Sequence, residues 1–126
     1  MNKVTICAIP LLLTGLTMPS LGFAAMLDND KATKKCEALA QRVLNIAETE
    51  KSYRCEEDVK ASGIALQEAS LRLKSDNFEQ AFRYLKIAER SLTAVFEQRQ
   101  LCSYFSPRVK PALDEVVNLQ SEIPID

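Results

Sequence analysis

Cysteine is the residue type through which this chain could do chemistry. Four cysteines occur in 126 residues, and the chain has neither histidine nor tryptophan. Without histidine it lacks the usual general base near neutral pH and the commonest nitrogen ligand of metal ions. No two cysteines have the Cys-x-x-Cys spacing that is typical of redox-active thiols and zinc sites. We therefore predict a protein that is not an enzyme and that has no metal site and no cofactor.

A run of carboxylates, Glu56-Glu57-Asp58, looks at first like an acid–base or metal-binding group. Three successive residues of a helix, however, point in three directions. Acidic residues are also favoured at the start of a helix, where they interact with the helix dipole. We interpret the run as the beginning of a helix, so an enzymatic function would rest on carboxylates alone.

The first 24 residues have the pattern of a secretory signal peptide. Lys3 gives a short positive region, residues 4–16 are mostly apolar, and small residues precede a cleavage site after Ala24. The apolar segment is too short for a stable membrane span. We expect residues 1–24 to be removed and residues 25–126 to form a single helical domain without stable membrane insertion. The expected location is the bacterial periplasm, with full secretion as the alternative.

The charge balance of the mature chain limits the class of partner. Without Lys3, 15 basic residues of the original 16 remain against 17 acidic ones, a net charge of −2. Nucleic acid binding requires a basic excess on one face, and an anionic membrane surface requires a polybasic segment. The sequence therefore predicts that the partner is another protein.

Glycine and proline are scarce after the signal peptide. The one glycine there is Gly63, and the prolines are Pro107, Pro111 and Pro124. An all-β domain needs turn residues about every 8–12 positions. Residues 32–100 are instead rich in Ala, Leu, Glu, Lys, Gln and Arg, which favour helices. The sequence predicts an all-α fold.

Apolar residues at helical spacing predict an antiparallel bundle of three to four helices. The first helix covers about residues 29–51, and the second ends at the break Lys74–Asn77. The third extends to about Leu101, and the fourth follows the connection Ser103–Pro107, with Ser106 as its cap and Pro107 at its first position.

The second helix is the least certain element at its start and on its outer side. A turn near Ser52–Glu56 is our interpretation, because the apolar stripes of the first two helices are out of phase. One bent helix over residues 30–74 is the alternative, and it would give three helices. Ile64 and Leu71 add a second apolar side, which predicts a central helix that is buried on two flanks.

Three cysteines, Cys36, Cys55 and Cys102, remain after signal removal, and they cannot all pair within one chain. A hairpin of the second and third helices that turns at Ser75–Asn77 brings Cys55 and Cys102 to its open end, within the ~6 Å between Cα atoms that a disulfide needs. We predict this structural disulfide. Cys36 is then a buried inert thiol, an intermolecular disulfide in a homodimer, or a reactive or metal-binding cysteine.

Several residues outside the predicted core stripes are candidates for partner binding. Arginine and aromatic residues that are not buried in a core dominate binding energy at interfaces. The candidates are Arg83, Tyr84, Ile87, Arg90, Tyr104 and Phe105. The alternatives are a solvated face on the third helix and packing of the two aromatic residues under the fourth.

These features together predict a small exported protein that acts by protein–protein contact. One form of this hypothesis is an accessory or assembly factor of a bacterial envelope or secretion machine. The alternative form is a periplasmic inhibitor, such as an immunity protein against a toxin. Both need a rigid, disulfide-linked scaffold with one binding face.

Overall fold

Helix-forming residues dominate the sequence after residue 28, and this part of the protein is correspondingly helical. The computed structural model describes residues 29–50 and 53–124, so the predicted signal peptide lies outside the described residues. These residues are 86% helical and contain no strand. The four helices cover 29–49 (α1), Tyr53–Lys74 (α2), Phe78–Glu97 (α3) and Phe105–Glu122 (α4). Within this part of the chain, no helix is long and apolar enough to cross a membrane.

The break between α1 and α2 excludes the single bent helix. The helix α1 ends at residue 49, and α2 begins at Tyr53, so the bundle has four helices. The predicted range of the turn, Ser52–Glu56, extends too far towards the C-terminus, because α2 has begun by Tyr53 and Glu56 already lies in its first turn. Its carboxylate is favoured there by the positive end of the helix dipole.

The turn between α2 and α3 is a Schellman motif. The backbone N–H of Asn77 donates to the carbonyl of Arg72 at 2.8 Å, and that of Asp76 donates to the carbonyl of Leu73 at 3.1 Å. Asp76 has a left-handed φ of 59°, which aspartate tolerates better than most residues. The side chain of Asn77 then caps α3 by accepting a hydrogen bond from the N–H of Gln80 at 3.3 Å. The predicted break is confirmed.

The connection between α3 and α4 differs from the expectation at both ends. The helix α3 ends at Glu97, four residues before Leu101, and α4 begins at Phe105. Ser106 is therefore helical and does not cap α4. Its hydroxyl instead donates to the carbonyl of Phe96 at 2.7 Å, which ties the start of α4 to the end of α3.

Contacts between helices define an antiparallel four-helix bundle. The helices α1 and α2 meet at Cys36, whose thiol donates to the carbonyl of Leu66 at 3.2 Å. The helices α1 and α4 are joined by ion pairs of Lys35 with Glu122 and of Arg42 with Glu115. All four helices contribute to one core, whose largest fully buried side chains are Leu39, Val43, Val59, Leu66, Leu73, Leu85, Leu92, Val95, Phe105, Val109 and Val116.

The prediction that α2 is buried on two flanks is wrong. Ile64 is 47% exposed and Leu71 is 51% exposed. Each helix of a four-helix bundle faces the shared core with one side and has neighbours only beside that face. The apolar side chains on the outer side of α2 therefore remain in contact with water.

Gly63 allows α1 and α2 to approach closely. A Cβ atom at this position would lie 2.6 Å from Cδ2 and 2.7 Å from Cγ of Leu44, and 3.3 Å from its backbone nitrogen. Alanine is otherwise favoured over glycine within a helix by about 1 kcal/mol. We expect Gly63→Ala to lower the melting temperature all the same, because overpacking typically costs about 1–3 kcal/mol.

A double-mutant cycle on thermal unfolding separates the two effects at Gly63. In a Leu44→Ala background the colliding side chain is absent, so Gly63→Ala should cost less and approach the gain expected from helix propensity. A higher melting temperature of Gly63→Ala in the otherwise unchanged protein would show that the close approach is not required.

Candidate functional site

The predicted disulfide between Cys55 and Cys102 is present. Cys55 lies in the first turn of α2, and Cys102 lies in the connection that precedes α4. Their Cα atoms are 5.7 Å apart, and 47 positions separate them in sequence. Both residues are buried. Structural disulfides of this kind form and persist in oxidising compartments, so the bond indicates that the protein folds in one.

Cys36 is a free cysteine and is fully buried between α1 and α2. Burial raises the pKa of its thiol to about 12, and the negative charge of Glu37 acts in the same direction. The thiol therefore stays protonated and is held as a donor to the carbonyl of Leu66. This arrangement matches the buried inert thiol, since an intermolecular disulfide would require α1 to separate from α2.

A labelling experiment tests the state of Cys36. At pH 8 a thiol with this raised pKa is deprotonated about a thousandfold less than an ordinary cysteine, and only the thiolate reacts. We expect iodoacetamide to leave the native protein unmodified and to add one group in urea, as measured by intact mass. Rapid modification of the native monomer, or a disulfide-linked dimer, would contradict this assignment.

The acidic run Glu56-Glu57-Asp58 lies near the start of α2. Glu56 is half-buried, whereas Glu57 and Asp58 are exposed. Among the described residues, no group of three or more His, Cys, Asp or Glu side chains is placed to hold a metal ion. The carboxylates therefore match the interpretation as the beginning of a helix.

Four of the predicted partner-binding residues share the outward side of α3. Arg83 and Arg90 are exposed, and Ile87 is 45% exposed. Tyr84 is half-buried against the core, and its ring centroid lies 5.7 Å from Cζ of Arg72 on α2. The structure therefore brings these four residues together, with the aromatic ring at the boundary between α3 and α2.

The expectation that both aromatic residues after Cys102 are exposed is wrong for one of them. Phe105 is fully buried, and its ring packs edge-on against the ring of Tyr104 with centroids 5.2 Å apart. Phe105 is the first residue of α4, and its side chain fills the core at the point where α4 leaves the connection. Tyr104 is half-buried and keeps part of its ring at the surface.

Beside Tyr104 lies a group of cations and aromatic rings that the sequence did not reveal. Cζ of Arg108 is 3.8 Å from the ring centroid of Tyr104, and Cζ of Arg99 and Nζ of Lys110 are 5.4 Å and 5.3 Å from that of Phe96. We call these five residues the cation–aromatic cluster. The spacing of four between Tyr104 and Arg108 and of three between Phe96 and Arg99 are local signals, whereas the contact of Lys110 with Phe96 depends on how α3 meets α4.

A cavity of about 500 Å³ lies at the opposite end of the bundle. Apolar side chains such as Leu73, Phe78 and Ile123 line it, and Asn29 and Asp76 stand among its polar neighbours. The Asn29 amide donates to the carboxylate of Asp76 at 2.6 Å and to the carbonyl of Leu73 at 3.3 Å. These hydrogen bonds connect the beginning of α1 to the α2–α3 turn. We therefore assign a structural role to the polar groups.

The relationship of the chain to known proteins was tested in three ways. Comparisons with protein-family models, with curated protein sequences and with solved structures gave no match. The basis for a function is therefore the surface of this chain itself.

Proposed function

We propose that this chain is a small exported protein without enzymatic activity that acts by contact with another protein. In this proposal it is an accessory or assembly factor of a bacterial envelope or secretion machine, and it works in the periplasm. The single observation that carries the proposal is the group of exposed arginine and isoleucine side chains and half-buried tyrosine rings on α3 and just before α4.

The composition of this surface is that of a binding site. Arg, Tyr and Trp are enriched among the residues that contribute most to interface affinity. Ile87 and Leu101 add apolar side chains that are about half exposed, and apolar residues form the centre of most interfaces. What distinguishes this surface from the outer side of α2 is that its apolar residues lie with arginine and tyrosine side chains.

The rigidity of the scaffold supports the same function. The disulfide fixes the start of α2 to the connection before α4, directly beside Tyr104. Ordering of flexible groups opposes association, so a surface that is already fixed loses less entropy on binding. The predicted signal peptide and the disulfide together favour an exported location, and full secretion is the alternative.

Binding by paired surface variants tests the proposal. The mature, oxidised protein is immobilised, and its partner is captured from periplasmic extract and then purified. Affinity is measured for the parent, for Arg83→Ala with Ile87→Ala, and for Tyr104→Ala. We expect a loss of about tenfold or more in at least one of these variants, with little change in melting temperature.

A matched control comes from the exposed side of α1, with Lys34→Ala and Gln41→Ala combined. This variant should bind like the parent protein. If the purified partner binds all variants equally, the surface of α3 and α4 is not the binding face. A captured toxin would direct the function towards inhibition instead of assembly.

A further inference from the structure

The cation–aromatic cluster holds three positive charges at one corner of the bundle. Arg99 and Lys110 approach the same ring, that of Phe96, at 5.4 Å and 5.3 Å. The guanidinium of Arg108 lies 3.8 Å from the centroid of Tyr104, and its Nη1 donates to the carbonyl of Tyr104 at 2.7 Å. Aromatic faces attract cations, so the two rings keep the three charges in place.

Acidic side chains neutralise this corner only in part. Lys110 pairs with Asp114 at 2.8 Å, but no ion pair in the described part of the chain includes Arg99 or Arg108. The middle of α3 is different, because Arg83 pairs with Glu79 at 3.0 Å and Lys86 pairs with Glu89 at 3.4 Å. Among the described residues, Arg99 and Arg108 are therefore two exposed guanidinium groups at this corner that no ion pair engages.

The beginning of α4 adds to this positive potential. Arg108 lies four residues into the helix sequence, near the positive end of the helix dipole, and the first turn of α4 has no acidic residue. In contrast, α2 has Glu56 and α3 has Glu79 in the first turn. A cation in the place that normally favours an anion is unfavourable for the isolated protein and becomes favourable when an anion binds.

We propose that the cation–aromatic cluster binds an acidic segment of the partner protein, with Arg99 and Arg108 pairing with its carboxylates. The inference rests on the proposed function and specifies the chemistry of the partner. Guanidinium groups match carboxylates in shape and bind them through paired hydrogen bonds. Of the five N–H groups of Arg108, one is used by the bond to Tyr104, so the others remain for a ligand.

The small number of cations in the cluster and the slightly negative net charge of the chain favour an acidic protein segment as the ligand over larger polyanions. Nucleic acids and anionic membranes are bound by broad basic surfaces, whereas this cluster has three cations on a chain of net charge −1. Half-exposed Leu101, in the same connection as Tyr104, provides an apolar contact beside the charges.

A labelled peptide of eight glutamates is a suitable probe. Its binding to the mature, oxidised protein is measured by fluorescence anisotropy at low salt. We expect Arg99→Gln with Arg108→Gln to weaken binding about tenfold. The control, Lys31→Gln with Lys34→Gln, removes the same charge from the exposed side of α1 and should leave the affinity within about twofold of the parent.

Thermal unfolding provides a second readout at this site. Arg108→Gln removes the unfavourable interaction with the helix dipole but also the contact with the Tyr104 ring and the hydrogen bond to its carbonyl, so we expect a melting temperature close to that of the parent. Arg108→Lys keeps the charge but not the planar guanidinium, so its peptide affinity should fall between those of the parent and the glutamine variant.

Several outcomes would overturn the inference. The parent protein could fail to bind the peptide, or the corner and control variants could lose affinity for it equally. The parent could also bind phosphatidylglycerol vesicles or duplex DNA in place of the peptide. If only the variant with Arg83→Ala and Ile87→Ala loses affinity for the captured partner, the proposed function is supported and this inference is overturned. If only the variant with Arg99→Gln and Arg108→Gln loses affinity for the peptide and for the partner, the proposed function and this inference are both supported.

Discussion

Removal of the disulfide, by Cys55→Ala with Cys102→Ala, is expected to lower the free energy of unfolding by about 4 kcal/mol. The bond joins residues 47 positions apart, and in the chain-entropy model closing a loop of that length restricts the unfolded chain by about this amount. Replacing both cysteines leaves no unpaired thiol at the site. Urea unfolding followed by circular dichroism measures the difference.

Reduction of the parent protein provides the matched control. With dithiothreitol the parent should unfold at the same urea concentration as the double variant, and the double variant should be insensitive to the reductant. A Cys36→Ala variant should keep the full sensitivity of the parent, since Cys36 is not part of the bond. A parent whose stability does not change on reduction would show that the disulfide is not a major source of stability.

Phe105→Ala is expected to lower the free energy of unfolding by about 3–5 kcal/mol, the range typical of truncating a buried aromatic side chain. Phe105 is fully buried where α4 begins, so its loss leaves a cavity in the core. Domains of this size are commonly stable by only about 5–15 kcal/mol, and the variant should be largely unfolded at moderate urea concentrations.

Tyr104→Ala separates burial from aromatic character at this corner. Tyr104 is half-buried and lies next to Phe105, so its truncation should cost clearly less. Phe105→Leu, which keeps most of the volume, should cost about 1.5 kcal/mol or less. If urea unfolding shows equal losses of unfolding free energy for Phe105→Ala and Tyr104→Ala, the deeper burial of Phe105 does not make it the more stabilising residue.

Local patterns in the sequence were sufficient to predict a bundle with separate first and second helices, and the disulfide. The turn before α3 could be found because Asp76 and Asn77 follow an apolar stripe and precede another, and both residues suit a helix end. Once that turn is placed, Cys55 lies 20 residues before Ser75 and Cys102 lies 25 residues after Asn77, so both reach the open end of the hairpin. Both predictions depend on spacing, which the sequence contains directly.

Features that depend on which element lies next to which could not be predicted in this way. Ile64 and Leu71 form an apolar side, but periodicity does not tell whether a neighbouring helix covers it. Phe105 has the side chain of an interface residue and also that of a core residue, and only the start of α4 decides between them. The cation–aromatic cluster needs Phe96 and Lys110 from two helices, which are 14 positions apart.

The Cys55–Cys102 bond also changes the path that a mechanical force takes through the protein. If tension is applied to the outer ends of α1 and α4, covalent bonds transmit the force from α1 to Cys55, across the disulfide, and from Cys102 into α4. The helices α2 and α3 lie inside the closed loop and bear none of it. About 160 Å of extended chain is thereby withheld from stretching, even when α1 and α4 are pulled away.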